Sequence, residues 1–440
     1  MSTSSPGTAG ASRSRYGSIA IVGALFFIFG FVTWLNGPLI SFAKLAFDVS
    51  DTLAFLIPSA FYISYFFLAL PSSLILRRTG MKKGMALGLF LMAVGALVFG
   101  QYTTARVYPG AVAGIFVIGA GLAILQTASN PYISILGPIE GAAQRIAVMG
   151  ICNKLAGWAA PFVIGTLVMH GMGDVASRVA GAADAATKEA VLNEFAARIH
   201  DPYMLMAGLL ALLSVGILFS PLPEIRAEEV NTEGDAGSKT SLFQFPHVWL
   251  GALCIFVYVG VEVMAGDAIG TYGQAFGLPL DETKFFTGFT LSAMLVGYVV
   301  GLVVIPRYIS QERYLSLSAI LGVLLAIGAF LTKGYASVYF VAALGFANAM
   351  MWPAIFPLAI QGLGRLTEKG SALLIMGIAG GAVIPQLFVH LKQVHDFQLV
   401  FLSLMVPCYL YILYFAMRGH NVGHAEHTPV ASARGAVSQN

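Results

Sequence analysis

The sequence predicts an all-α membrane protein of twelve transmembrane helices in two six-helix halves, with both termini cytoplasmic. Three observations predict it. First, 58% of the 440 residues are hydrophobic and only 10% are charged, against roughly 25% charged in a soluble domain, which excludes a soluble enzyme. Second, apolar runs long enough to cross a bilayer occur twelve times. Such spans of about 20 residues use roughly 240 residues in all, leaving room for connections and tails but for no large extramembrane domain. Third, the second half of the chain echoes the first.

The elements follow in order. After a cytoplasmic tail, 1–18, the apolar run from Ile19 follows Arg13 and Arg15 as a secretory signal would. It continues through Phe31 to Ile40 without an A-x-A cleavage site, so it reads as a retained first helix. Spans one to six are expected at 19–42, 53–76, 85–102, 109–136, 147–170 and 204–220, making an N-terminal half of 19–220. An external loop, 171–203, carries Asp174, Asp184, Glu189 and Glu194, with a short surface helix expected around Ala185 to Ile199. A cytoplasmic linker, 221–247, opens with Pro221 and Pro223 and contains Glu228, Glu229, Glu233 and Asp235, as a joint between two halves would. Spans seven to twelve are expected at 248–272, 285–306, 315–332, 336–362, 371–391 and 397–416, making a C-terminal half of 248–416 before a cytoplasmic tail, 417–440.

With the N-terminus inside, fifteen Lys and Arg fall in cytoplasmic segments and eight outside. The turn holding Arg77, Arg78, Lys82 and Lys83 is the strongest single determinant of that orientation. These four are also expected to act as a cytoplasmic gate by pairing with an acid of a neighbouring element, although positive-inside sorting alone would account for them. The halves share anchors at one spacing. Leu136-Gly137 matches Leu363-Gly364, and Val148-Met149-Gly150-Ile151 matches Ile375-Met376-Gly377-Ile378, each 227 residues on. Parallel six-helix repeats organise the major facilitator architecture, whose substrate site lies between the halves near the midplane.

Three ionisable residues sit inside spans: Lys154 in span five, and Glu262 and Asp267 in span seven. A charge at the bilayer centre costs roughly 2.5–3.5 kcal/mol on insertion scales, so each must face protein or water. They are candidates to line a transport cavity and, for the carboxyls, to bind a coupling cation. A Lys154–Glu262 pair that merely locks the halves is the plainer alternative. Glu262 and Asp267 are five apart, about 140° around a regular helix, and can share a cavity only if span seven is broken. Gly260, Gly266, Gly270 and Gly273 would permit a break.

Embedded amides add a second pattern. Gln126 and Asn130 share a face of span four, Asn348 and Trp352 repeat that spacing in span ten, Asn36 lies in span one, and Asn153 adjoins Lys154. A polyhydroxylated ligand needs amides that donate and accept, and an aromatic face. Interhelical hydrogen bonding, worth about 0.6 kcal/mol per contact, is the competing explanation, and Tyr62 and Tyr65 are weaker candidates. Other chemistries lack support. Cys152, Cys254 and Cys408 fall in apolar runs, and His170, His390 and His395 lie near span ends without metal-ligand spacing. No G-x-S-x-G, H-E-x-x-H or Walker loop occurs, and a formal charge of +3 gives no basis for a nucleic-acid partner.

At FFIFGFVTWLNG (26–37), the stretch from Ser59 to Gly88, LQTASNPYISILGP (125–138), MGICNKLAG (149–157), YVGVEVMAGD (258–267) and ANAMMWPAIFPLAIQGLG (347–364), the chain resembles the fucose, galactose and glucose:cation symporter family of the major facilitator superfamily. Its closest likeness is to the bacterial N-acetylglucosamine permeases. Two positions depart from the fucose permease pattern: Gly37 stands where it has an aspartate, and Gln126 where it has a glutamate. The resemblance implies a monomeric, multi-pass inner-membrane importer of a small sugar, most of all N-acetylglucosamine, driven by H⁺ or Na⁺ without other cofactors. Under it, Asn36, Gln126, Asn130, Asn153, Lys154, Trp158, Asn348 and Trp352 bind substrate, Asn153 with Trp158 taking the acetamido group. Glu262 foremost, and then Asp267, couple the cation. A glucose/galactose symporter or an uncoupled facilitator is the alternative; a drug exporter or a non-transporting sensor is remote.

Overall fold

A computed structural model describes residues 7–135, 142–224, 241–305 and 307–423. Among these residues there is no strand, and twelve helical spans are long and apolar enough to cross a bilayer. Spans one to six run Gly17–Ala46, Asp51–Thr79, Met81–Thr104, Tyr108–Asn130, Arg145–Leu167 and His200–Phe219. Spans seven to twelve run Pro246–Gly266, Leu280–Val304, Gln311–Leu331, Gly334–Ile360, Thr367–Leu391 and Phe397–Met417. Each matches one expected run. The Leu136-Gly137 anchor, the linker acids Glu228, Glu229, Glu233 and Asp235, and the tail beyond Gly423 lie outside the described residues.

The external loop is more helical than its sequence suggests. The expected surface helix is present as Ala185–Ala197, its N-terminus capped by Asp184, which accepts from the Thr187 amide at 2.7 Å. A second helix, Met172–Ala180, precedes it, too short to stand out as a periodic pattern.

Glycines let helices meet closely in both halves. A Cβ at Gly30 of span one would fall 2.2 Å from the Asn153 carbonyl of span five, and one at Gly380 of span eleven 1.8 Å from the Phe256 carbonyl of span seven. Without a hydrophobic force to join helices in lipid, such backbone proximity is what packs them. Spans one and five thus pair through glycine as spans seven and eleven do.

Several spans are interrupted midway. Span one breaks at Leu35, between helices Gly7–Trp34 and Asn36–Ala46, with Pro38 unable to donate to the preceding turn. Span ten breaks between Asn348 and Met351, ahead of Pro353. Span seven is broken as expected: its helix ends at Gly266 and resumes at Ile269. The freed carbonyls find partners in span eight, where Thr290 donates to Ala265 O at 2.6 Å and Thr287 to Gly266 O at 2.8 Å. Irregular backbone at this depth is tolerated only with such partners.

The halves are joined at their external ends. Asp51 accepts from Lys392, Thr52 from Gln386 and Gln393 (3.1 and 2.5 Å), and Ser41 from Gln274 at 2.9 Å. Asp281 takes the Met172 and Gly173 amides at 3.1 and 3.0 Å, while Lys284 donates to Met169 O at 2.8 Å. At the cytoplasmic end Arg77 reaches across to Glu368 at 3.2 and 3.3 Å.

Candidate functional site

Between the halves lies a cavity of about 810 Å³, part of it continuous with solvent, beneath the external closure and extending cytoplasm-ward along Phe26, Asn130, Ile146 and Pro353. Its centre is a buried ion pair. Lys154 Nζ donates to Glu262 Oε1 at 2.8 Å and sits 4.3 Å from the centre of the Trp34 ring. Span five supplies the lysine and span seven the carboxylate, so the pair crosses from one half to the other. Trp34 fits because Gly157 and Gly266 have no side chains: a Cβ at either would fall within 2.4 Å of the indole. Its Nε1–H points to Asn153 Oδ1 at 3.4 Å.

The structure brings together Gln126, Asn130, Asn153, Lys154, Glu262 and Trp352 of the expected residues around this cavity. Gln126 donates to the Tyr65 hydroxyl at 3.1 Å, and Trp352 stacks on Phe356 with ring centroids 5.7 Å apart. Amides, a charged pair and aromatic faces therefore surround one space.

Other expected residues lie elsewhere. Trp158 is 40% exposed and packs on Phe162 at the outer surface, because the cavity face of span five runs through Gly150, Asn153 and Lys154 while Leu155 and Trp158, three apart, point outward. The acetamido pocket expected of Asn153 with Trp158 is therefore not assembled. Asn36 and Asn348 are buried and outside the cavity lining; Asn348 accepts from Tyr409 of span twelve at 2.9 Å, a contact between helices. Asp267 is 1% exposed and outside the cavity lining. It accepts from the Tyr62 hydroxyl at 2.9 Å through Oδ2, and Oδ1 has no hydrogen-bond partner. Of the basic turn, Arg77 alone is seen crossing the halves. Lys82 bonds Ser220 O at 2.8 Å within its own half, and Arg78 and Lys83 are exposed.

Sequence reasoning missed Trp34, Tyr258 and Tyr298 in the lining. Only the position of Trp34, two residues before Asn36 and the Gly37-Pro38 break, offered a signal. Tyr298 is held by Gly150, where a Cβ would stand 2.7 Å from its ring, a contact between halves that no local pattern reveals.

The sequence matches the Major Facilitator Superfamily over residues 22–385. It is 31% identical over 412 residues to the glucose/galactose transporter of Brucella abortus, covering 93% of this chain and 95% of that protein. To the L-fucose-proton symporter of Escherichia coli it is 26% identical over 385 residues, 86% and 87% of the two chains. The crystal structure of FucP, a superfamily transporter in the outward conformation, shares the fold with a TM-score of 0.72 at 24% identity, over 92% of this chain and 98% of that one. With its twelve spans, the interhalf cavity and these relatives, the chain belongs to the major facilitator superfamily, in the branch of the fucose, galactose and glucose:cation symporters.

Proposed function

We propose that this protein imports a neutral hexose, glucose or galactose, across the inner membrane together with a cation, by alternating access between its halves. The observation that carries this reading is the single cavity in which Gln126, Asn130 and Asn153 face Trp34, Trp352 and the Lys154–Glu262 pair. A pyranose presents hydroxyls around its rim and C–H groups on its faces. The amides can donate to and accept from the rim, the charged pair gives its stronger hydrogen bonds, and the indoles cover the apolar faces.

The choice of hexose is supported by the 31% identical relative named a glucose/galactose transporter. N-acetylglucosamine, which the sequence motifs suggested, needs a second amide and a small apolar pocket for its acetamido group, and Trp158 is turned away from that task. It enters the test as a competitor. In the alternating-access step, the external contacts of Asp51, Thr52 and Asp281 open while cytoplasmic ones close around Arg77 and Glu368, the gating role assigned to the basic turn.

Counterflow in proteoliposomes tests the reading. Vesicles preloaded with unlabelled galactose should take up labelled galactose in a transient overshoot, suppressed by glucose and less by N-acetylglucosamine. An overshoot with N-acetylglucosamine alone would move the substrate to the amino sugar, and no overshoot with any of the three in folded protein would remove the transport reading.

A further inference from the structure

Resting on the symport reading, we propose that Asp267, rather than Glu262, is the carboxyl that takes up and releases the coupled ion, that the ion is a proton, and that Tyr62 and Gly37 of the N-terminal half clasp this carboxyl whenever the external end is closed.

The two embedded carboxyls of span seven have opposite surroundings. Glu262 carries its own counter-ion, Lys154 Nζ at 2.8 Å, and stays balanced whether the halves open inward or outward so long as that pair holds. Asp267 makes no salt bridge among the described residues and is 1% exposed, with one oxygen unpartnered. It is placed by the break in span seven, which turns it away from the cavity and against the other half.

Two of the groups that enclose it belong to that other half. Tyr62 of span two donates to Oδ2. Gly37 of span one lies so close that a Cβ there would be 3.2 Å from Oδ1 and 3.1 Å from the Asp267 Cα. The space a side chain at position 37 would fill is bounded first by the Thr287 hydroxyl, at 2.5 Å, and then by Asp267. The charged or titratable groups facing it are Tyr62 from span two, Lys154 from span five and Glu262 from its own span. Its neighbours from spans one and eight, Gly37 and Thr287, do not titrate.

This geometry couples protonation to movement. Separating the halves at the external end removes Tyr62 and Gly37 together and exposes Asp267 to outside water, where its carboxylate accepts a proton and becomes the neutral acid. Closing the halves over an ionised Asp267 would enclose a charge without a counter-ion, at the cost such charges carry in a membrane, so closure proceeds with the proton on. Tyr62 also lines the sugar cavity and so touches both, which lets it position the carboxyl and places it on the path by which the proton leaves to cytoplasmic water. Only one O–H bond forms and breaks.

The test uses the full chain in proteoliposomes with galactose counterflow, galactose-driven alkalinisation of the medium, and accumulation under imposed gradients. Asp267→Asn should keep counterflow, lose alkalinisation and lose gradient-driven accumulation, and its counterflow should no longer change with pH as the wild type's does. Sugar-driven proton uptake that survives Asp267→Asn, or wild-type accumulation that follows sodium and ignores the proton gradient, overturns the proposal. Should the variant fail to fold, the wild type answers by peptide mapping after dicyclohexylcarbodiimide, which adds to protonated carboxyls in apolar surroundings. An adduct on Asp267 supports the assignment, and one on Glu262 alone overturns it. Absence of counterflow in the wild type would instead sink the symport reading itself.

Discussion

The Lys154–Glu262 pair gives the sharpest energetic prediction. Its side chains are 9% and 12% exposed and 2.8 Å apart, so neither has bulk water to fall back on. Removing one partner strands the other charge, at a cost of about 3 kcal/mol, the lower end for a buried pair because the site borders a cavity. Lys154→Met also forfeits the contact over Trp34, worth about 0.5–2 kcal/mol, so it should be the costlier single change. Replacing both, as Lys154→Met with Glu262→Gln, leaves no stranded charge. The coupling between the two changes should then reach roughly 2 kcal/mol, within the range for residues in direct contact, or a factor of about 30 in the unfolding equilibrium. Unfolding in mixed micelles titrated with dodecyl sulfate, followed by tryptophan fluorescence, reads all four proteins. If the double variant loses the sum of the two single losses, the pair is not coupled in the folded state and the cavity described here is wrong at its centre.

Trp158→Leu should leave galactose counterflow unchanged while Trp352→Leu abolishes most of it, since only the second ring faces the cavity; equal losses would place Trp158 in the site after all. Asp51→Asn breaks the external link to Lys392 and should weaken the outward-closed arrangement by about 1 kcal/mol. A reporter cysteine, Ser59→Cys, should then react faster with an impermeant maleimide from outside, and an unchanged rate would count against the clasp. Gly30→Ala drives a Cβ to 2.2 Å from the Asn153 carbonyl and should destabilise the N-terminal half by about 1–3 kcal/mol, the usual cost of overpacking. Gly23→Ala, whose nearest neighbour is 3.6 Å away, should be tolerated, so similar unfolding curves for the two would refute the packing argument.

Most of the architecture was legible because lipid imposes it: a chain that must satisfy its backbone inside a bilayer can do so only as helices here, and their length sets the period of apolar runs. The break in span seven was legible from Gly260, Gly266, Gly270 and Gly273, although the expectation attached to it, that Glu262 and Asp267 would then share one cavity, fails, since Asp267 lies outside the lining. Within the site, Gln126, Asn130, Asn153, Lys154 and Trp352 were legible because polar groups are rare enough in spans to stand out. The same rarity made Asn36 and Asn348 stand out, yet both are buried off the cavity. Sequence shows that an amide is embedded, not whether it faces a neighbouring helix or the opposite half. Trp158 misled for a related reason: it is four residues from Lys154 and nominally near its face, but the inward face of span five runs through Gly150, Asn153, Lys154 and Gly157 and leaves Trp158 on the outer edge.

What remained illegible concerns pairs across the two halves, and these decide the division of labour between the carboxyls. Lys154 finds Glu262 from 108 residues away, Tyr62 finds Asp267 from 205, and Gly37 marks an absent side chain whose meaning depends on what fills the gap. From sequence, Glu262 looked the better coupling group because it lies deeper in its span. Depth alone does not make a carboxyl titrate with the transport cycle; what matters is whether its surroundings change as the halves move. Tyr62 and Gly37 beside Asp267 come from the half that moves away, so opening must change its surroundings. The partner of Glu262 also comes from the other half, but as a full positive charge that holds the carboxylate ionised for as long as the two remain in contact. The deeper group is therefore suited to binding sugar, and the shallower one, beneath the external closure, to exchanging a proton with outside water.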